Sequence, residues 1–230
     1  ISKKLLLADP LFDMYFLMYE EDINSFIYFY LISLIFLMAL YFDFSAYSEM
    51  AWSVALILGM KLPINFASPL RAISYVELWR RWHITLTQSF GRLITIPVQT
   101  YALRKFSNKT NFMRNFSMFF PVLLGFLVSG IWHGWGISFV LWGLLNFLFW
   151  WLFSLAIMKR IAIRLPNISW LLTLSLFSIT LQLFVYSPSE IFNILTKVNY
   201  ISLDFSFLDK LTNKNQLILF AGLLILLFGI

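Results

Sequence analysis

The 230-residue sequence contains no cysteine. This absence excludes disulfide bonds, thiolate metal sites and cysteine nucleophiles. Charged residues are also scarce, at 12% of the chain, where a soluble domain has about 25%. Hydrophobic residues make up 60%. A single soluble core does not bury that much apolar surface, so the composition predicts a protein that is solvated in large part by a lipid bilayer.

Several signatures of soluble enzymes are missing as well. There is no G-x-S-x-G nucleophile elbow and no glycine-rich phosphate loop. The chain has only two histidines, and no acidic residue lies within four positions of His133, which argues against a metal site. The net charge of +6 comes from basic residues in short gaps between apolar runs. We interpret these residues as topology signals and expect no nucleic-acid partner.

Apolar runs divide the chain into candidate membrane spans, each of which needs about 20 residues. They lie at 26–42, 116–132, 137–158, 165–186 and 217–230, and a shorter run at 46–60 is expected to be tilted or only partly inserted. We predict an all-α polytopic transmembrane helix bundle that forms one domain over residues 1–230. Because Ile1 is not an initiator methionine and the chain ends on an apolar run, we expect a C-terminal part that lacks the N-terminal helices of a longer protein.

The stretch 61–99 is too polar for a lipid-facing span. It carries the charged or titratable residues Arg71, Glu77, Arg80, Arg81, His83 and Arg92. It also contains Pro63, Pro69 and Pro97, which are expected to break it into pieces. Charged groups at membrane depth normally face the protein interior or a water-filled cavity. We therefore predict re-entrant or interfacial helices buried among the spans.

Basic residues suggest an orientation in the membrane. One basic loop precedes the run at 116–132, and another follows the run at 137–158; their members are Arg104, Lys105, Lys109 and Arg114, and Lys159, Arg160 and Arg164. Two spans lie between these loops, so both loops can be cytoplasmic. The turn at His133 would then point away from the cytoplasm.

The two histidines are the side chains best suited to proton transfer near neutral pH. His133 follows Trp132, and His83 follows Trp82. Their residue chemistry alone leaves two readings open for each: a hydrogen-bonded histidine that ties helices together, or a catalytic one. The second reading favours acyl transfer or another proton-shuttling step. In acyl transfer a histidine removes a proton from an acceptor hydroxyl, which then attacks an acyl carbonyl.

Other polar residues also allow two interpretations. Asp43 and Glu49 bracket a polar patch that is either a helix-capping turn, with Asp43 or Ser45 as N-cap, or the polar lining of an active-site funnel. Arg80 and Arg81 are able to hold a phosphate or carboxylate of a donor, or to bridge to Glu77 and backbone carbonyls.

Five ordered motifs carry a resemblance to a known family. Residues 41–51 read Y-F-D-F-S-A-Y-S-E-M-A and are similar to Y-F-D-F-S-G-Y-S-D-M-A. Residues 63–69 resemble P-x-N-F-x-x-P, and residues 77–86, E-L-W-R-R-W-H-I-T-L, resemble E-F-W-R-R-W-H-I-S-L. Residues 129–134, S-G-I-W-H-G, and 139–143, F-V-L-W-G, complete the set. Together they resemble the alginate O-acetyltransferase group of the membrane-bound O-acyltransferases (MBOATs).

The resemblance implies a helix bundle around a central funnel, with His133 as the catalytic residue and His83 as a second site residue. On this hypothesis we expect substrate-binding roles for Arg80, Arg81, Trp132, Asp43 and Glu49. It also implies acetyl-CoA as acyl donor, no bound cofactor and a multi-pass location in the bacterial inner membrane. The acceptor would be a polysaccharide, reached through a periplasmic or extracellular acetyltransferase partner.

The sequence also departs from the family pattern. Where the family has an R-D pair, this chain has Gly91 and Arg92, and the F-F-R-A segment is replaced by Leu183, Phe184 and Val185 without an arginine. Three alternatives therefore stand beside acetyl transfer. They are a non-catalytic or degenerate membrane component that holds a partner acetyltransferase, D-alanyl transfer to teichoic acid, and a transporter.

Overall fold

The computed structural model describes residues 1–19, 23, 25–106, 110–198 and 218. Ten α-helices lie in these ranges: α1 (Asp9–Tyr19), α2 (Phe26–Ile57), α3 (Tyr75–Arg81), α4 (Ile84–Phe90), α5 (Ile96–Phe106), α6 (Asn111–His133), α7 (Ile137–Ser154), α8 (Ala156–Arg164), α9 (Pro166–Leu181) and α10 (Pro188–Lys197). Two π-helical segments, Lys4–Ala8 and Gly91–Thr95, and two 3-10 turns, Pro69–Arg71 and Gln182–Phe184, accompany them. The predicted all-α class is confirmed.

Four of these helices are long and apolar enough to cross a membrane. They are Phe26–Ile57, Asn111–His133, Ile137–Ser154 and Pro166–Phe184, the last being α9 with its 3-10 extension. They correspond to the predicted runs at 26–42, 116–132, 137–158 and 165–186, so the chain is a multi-pass membrane bundle. The predicted span at 217–230 lies outside the described residues, apart from Ile218.

The first span is one continuous helix, which contradicts the capping-turn interpretation of the patch between Asp43 and Glu49. Ser25, whose hydroxyl accepts the backbone N–H of Tyr28, is the N-cap of α2, so neither Asp43 nor Ser45 caps a helix. No glycine or proline occurs between Phe26 and Leu58, and helix formation therefore continues through the polar patch. The predicted short run at 46–60 is the C-terminal part of α2.

The helix α2 ends in a Schellman motif. Gly59 has φ +74°, and the N–H of Met60 donates to the carbonyl of Ala55 at 2.8 Å. Glycine adopts this left-handed conformation without a Cβ clash. The chain then runs without regular structure from Met60 to Ser68, through the first part of the polar segment, residues 61–99.

The polar segment is broken at its start but not at Pro97. Residues 84–106 form an unbroken helical stretch in which α4 passes through the π-helical segment Gly91–Thr95 into α5. A proline lacks the N–H of the ordinary helical bond, and a π-helical turn just before it changes the local bonding register. The expected break at Pro97 is therefore replaced by a change of helix type.

Specific hydrogen bonds bury this segment between α7 and α9. The hydroxyl of Tyr75 donates to Asn146 Oδ1 on α7 at 2.7 Å. On α9, Trp170 Nε1 donates to the carbonyl of Leu70 at 2.7 Å, and Ser169 Oγ donates to that of Ile73 at 2.6 Å. These bonds hold α3 within the bundle, as expected for broken backbone at membrane depth.

Two glycines bring α6 and α7 into close contact. A Cβ atom on Gly130 would lie 2.2 Å from the carbonyl oxygen of Phe139, and one on Gly143 would lie 2.7 Å from that of Phe126. Small residues at such positions let helix backbones approach each other within a membrane. Because only Gly134 to Gly136 connect the two helices, they pack antiparallel, and this pair fixes the position of His133.

Candidate active site

His133 is the last residue of α6 and lies among aromatic rings. Its imidazole makes edge-to-face contacts with Trp132, Trp142 and Phe184, with centroid distances of 4.8, 5.3 and 5.0 Å. Trp142 comes from α7, and Phe184 follows α9, so three spans meet at this ring. The imidazole itself remains exposed, and a reactant can reach it.

His83 lies at the junction of α3 and α4, outside the four candidate spans. Its backbone is in the left-handed region, with φ +43° and ψ +53°. Such a conformation costs a non-glycine residue about 1–3 kcal/mol, and it is concentrated at functional sites. The ring packs edge-to-face on Phe44 at 4.6 Å, and its Nδ1 lies 3.0 Å from Asn65 Oδ1.

The two histidines belong to one site. Burial, and after it the charge of His133, lower the pKa of His83 to about 4. The second cause is an electrostatic interaction between the two histidines. Trp132, which precedes His133, also packs on Phe90 at the end of α4, at 6.4 Å. The fold thus brings together two histidines that are far apart in the sequence.

The two arginines of α3 have different surroundings. Arg81 donates from Nε and Nη2 to Glu77 Oε1, at 3.0 and 2.7 Å, and from Nη1 to the carbonyl of Ala67 at 3.1 Å. Arg80 is exposed and, among the described residues, has no ion pair. Arg81 therefore has the bridging role that the sequence left open for it, and Arg80 keeps its guanidinium available.

Two adjoining cavities connect the surroundings of Arg80 with Ser129 on α6. The first, of about 280 Å³, is lined by Arg80, Trp79, Thr87 and Trp150 among others. The second, of about 200 Å³ and largely apolar, shares Trp79, Thr87 and Trp150 with it and reaches Ser129. Ser129 lies four residues before His133 on α6, which places both on one helix face.

Asp43 and Glu49 lie on the polar part of α2 and carry ion pairs. Asp43 accepts from Lys4 Nζ at 2.6 Å, and Glu49 pairs with Lys3. Both pairs are partly exposed to solvent, where such pairs contribute little stability. The substrate-binding roles of these two carboxylates, like those of Trp132, Arg80 and Arg81, stay predictions.

Three residues of the site were not singled out by their sequence. Asn65, Trp142 and Phe184 all contact one of the histidines. Asn65 and Trp142 lie inside family-like motifs, and that position was the available signal. Phe184 lies where the sequence departs from the family pattern, so no sequence signal pointed to it.

Within the part of the chain that the structure describes, no group of three or more histidine, aspartate or glutamate side chains could hold a metal ion. The site thus consists of two histidines, aromatic walls, one available arginine and an apolar cavity. Such a set is equipped for proton transfer to and from a reactant that has an anionic part and an apolar part. Fold and site together define a polytopic membrane protein with a two-histidine site.

Comparison with known proteins agrees with the motif resemblance. No family model matches the chain. The chain is 39% identical over 122 residues, 53% of its length, to the peptidoglycan O-acetyltransferase of Helicobacter pylori. It is 36% identical over 104 residues, 45% of its length, to the probable alginate O-acetylase AlgI of Pseudomonas aeruginosa. It is also 34% identical over 95 residues, 41% of its length, to the teichoic acid D-alanyltransferase of Streptococcus thermophilus.

The matched segments make up 21%, 18% and 22% of these three relatives. The matched part of the chain therefore spans about a fifth of the length of these curated relatives. Over these matched segments, the comparison confirms the predicted resemblance to the alginate O-acetyltransferase group. All three names denote transfer of an acetyl or D-alanyl group.

Proposed function

We propose that this chain carries the histidine site of a membrane O-acyltransferase, which moves an acetyl group from a cytoplasmic donor towards hydroxyls of a cell-envelope or extracellular polysaccharide. The observation that carries this proposal is the pairing of His83 and His133 in one aromatic-walled site. The names of the similar proteins support the reaction class.

In the proposed reaction His133 acts as general base. It takes the proton from an acceptor hydroxyl while that oxygen attacks the acyl carbonyl, so that a C–O bond forms. The bond between the carbonyl carbon and the donor's sulfur then breaks. The leaving thiolate receives the proton from the imidazolium of His133, which returns to its starting state.

The donor is proposed to be acetyl-CoA, with no cofactor bound between turnovers. Arg80 would hold a phosphate of the donor, because its guanidinium is exposed and free of an ion pair among the described residues. The apolar cavity beyond it would take the acyl end of the donor, and Ser129 marks its boundary towards His133. Arg81 would contribute by fixing α3 through Glu77.

The orientation follows from the antiparallel pair α6 and α7. Arg114 near the start of α6 and the basic residues of α8 lie at the end of this pair opposite His133. With that basic end in the cytoplasm of a bacterial inner membrane, His133 faces the outer side. The acyl group would then reach a polysaccharide through a periplasmic or extracellular acetyltransferase partner.

The test is O-acetylation of envelope polysaccharide in cells that carry the full-length gene, its deletion or His133→Ala. Membrane levels of each protein are measured in parallel. Loss of ester-linked acetate in both the deletion and His133→Ala, with normal insertion of the variant, is the expected result. Acetate that is lost on deletion but kept in His133→Ala would contradict catalysis by His133 and favour a non-catalytic component that holds a partner.

A second candidate is D-alanyl transfer to teichoic acid. It is favoured by the similarity to the teichoic acid D-alanyltransferases of Streptococcus thermophilus and Bacillus subtilis, at 34% and 31% identity. The same strains distinguish the two candidates when ester-linked D-alanine is measured beside acetate. If the deletion changes ester-linked D-alanine and leaves acetate unchanged, D-alanyl transfer replaces acetyl transfer as the proposed function.

A further inference from the structure

One asparagine, Asn65, binds three successive residues at the strained turn of His83, two through its side chain and one through its backbone carbonyl. Asn65 Oδ1 lies 3.0 Å from His83 Nδ1, and it accepts from the backbone N–H and the hydroxyl of Thr85 at 3.3 and 2.8 Å. The backbone carbonyl of Asn65 accepts the N–H of Ile84 at 2.9 Å. A single residue therefore binds the left-handed turn at His83 and at the two residues that follow it.

The identity of the amide atom that faces His83 follows from its neighbours. A backbone N–H can only donate, so the atom near the N–H of Thr85 has to be the acceptor oxygen of the amide. On the other side Asn65 Nδ2 donates to Ser48 Oγ at 3.0 Å. Reversing the amide would place two donors, Nδ2 and the N–H of Thr85, against each other.

This orientation decides the tautomer of His83. An amide oxygen has no proton to give, so His83 Nδ1 must carry the hydrogen that makes this bond. In a neutral imidazole the other nitrogen, Nε2, then keeps its lone pair. We infer that Asn65 is a positioning residue, which holds His83 as the Nδ1–H tautomer and presents Nε2 to the site as a hydrogen-bond acceptor.

The consequence for chemistry rests on the proposed function. When His133 takes up the proton of the acceptor hydroxyl, it becomes a cation with two N–H donors. In the proposed site a neutral acceptor nitrogen on His83 would stabilise that cation, whereas an N–H in the same place would oppose it. The lowered pKa of His83, whose first cause is burial, keeps this ring neutral while His133 is protonated.

The geometry around His83 favours a fixed ring over an adaptable one. Phe44 packs at 90° to it, and the anchoring bonds to Asn65 come from α2 through Ser48 and from α4 through Thr85. Groups that orient a metal-ligating histidine contribute about 10–100-fold to affinity or activity, and we expect an effect of similar order for a group that orients His83. Asn65 is such a group, because its contact is with the ring of His83.

The primary test reads the tautomer directly. The full-length protein, labelled with ¹⁵N-histidine and reconstituted in lipid bilayers, is measured by solid-state NMR, with His83→Gln to assign the signal. We expect a protonated Nδ1 and an unprotonated Nε2 at pH 7. In Asn65→Leu the Nδ1–H form should lose its dominance, whereas in Asn65→Asp, which keeps an acceptor oxygen, it should persist.

Kinetics test the role of the tautomer. Asn65→Leu should lower kcat roughly 10-fold or more, with the KM for the acyl donor changed less than about threefold. Asn65→Asp should recover most of kcat, and it should shift the acid limb of the pH profile upward, because a carboxylate raises the pKa of His83. Asn193→Leu, the same change on the exposed surface of α10, is the control.

The outcomes separate the two proposals. An Nε2–H tautomer in the wild-type protein, or a tautomer unchanged in Asn65→Leu, would overturn the inference about Asn65. Equal losses of kcat in Asn65→Leu and Asn65→Asp would reduce Asn65 to a structural residue. An Nδ1–H tautomer in a protein that transfers no acyl group would uphold the positioning of His83 and contradict the proposed function instead.

Discussion

The carbonyl oxygen of Phe139 on α7 occupies the space in which a side chain on Gly130 of α6 would begin. An added Cβ atom would lie 2.2 Å from this oxygen, well inside van der Waals contact. The two backbones touch three residues before His133. The packing of α6 on α7 is therefore coupled directly to the position of the proposed general base.

Gly130→Ala should accordingly displace α6 from α7. Overpacking of this kind costs about 1–3 kcal/mol, and we expect a lower thermal midpoint together with loss of acyl transfer. Gly91→Ala is the matched control, since a Cβ there would meet nothing within 4 Å and alanine favours a helix. Thermal unfolding in detergent gives the midpoint of each variant. A midpoint of Gly130→Ala equal to that of Gly91→Ala would disprove the close packing.

Neutralising the two arginines of α3 should have different effects. Arg80→Gln should raise the KM for the acyl donor and leave the thermal midpoint unchanged, because Arg80 is exposed and has no ion pair among the described residues. Arg81→Gln should lower the midpoint by a few degrees, since it removes partly exposed bonds to Glu77 and Ala67 worth on the order of 1 kcal/mol.

Steady-state kinetics at varied donor concentration, beside thermal unfolding, check this pair. Arg80→Lys keeps the positive charge and should recover part of the donor affinity. If Arg81→Gln raised the KM for the donor more than Arg80→Gln does, the assignment of Arg80 as the donor-binding arginine would be wrong.

The lowered pKa of His83 predicts a specific dependence of stability on pH. Its ordinary value is 6.5, and burial followed by the charge of His133 lowers it to about 4. Between these two values the unfolded chain binds a proton that the folded chain does not, so acidification favours unfolding. The contribution of a neutral His83 is complete above pH 6.5 and is lost as the pH falls towards 4.

Thermal midpoints measured from pH 7 to pH 4 check this dependence. His83→Gln should flatten the decline relative to the wild type, because glutamine does not titrate. An identical decline in both proteins would assign the acid sensitivity to other groups. Wild-type stability that rises on acidification through this window would contradict the direction of the shift.

The absence of cysteine from this chain makes its topology directly testable. In a cysteine-free background, Trp135→Cys in the exposed α6–α7 turn and Arg160→Cys on α8 should react with a membrane-impermeant maleimide from opposite sides. We expect labelling of Trp135→Cys from outside the cell and of Arg160→Cys only after permeabilisation. Labelling of both from one side would contradict the antiparallel pair or the proposed orientation.

Much of the fold was predictable, because long apolar runs have few alternatives in a bilayer. Three of the four spans were located to within about five residues, since every backbone polar group at membrane depth needs an internal partner and helices provide it. The first span was predicted to end at residue 42 but continues to Ile57. The interpretation of the sequence failed where a local pattern typical of a turn was outweighed by the rest of the helix. The patch from Asp43 to Glu49 resembled a turn, but it lacks a helix breaker and its charges pair with Lys3 and Lys4.

The sequence by itself determined that this is a membrane helix bundle, and it predicted His133 and His83 as candidate site residues, because hydropathy and motif order are properties of the chain alone. Only the tertiary structure decided what each side chain contacts. It paired Arg81 with Glu77, left Arg80 free of ion pairs among the described residues, and brought Asn65 to His83 and Phe184 to His133. Such contacts join residues that are distant in the sequence, and they depend on how the helices pack, which no local pattern encodes.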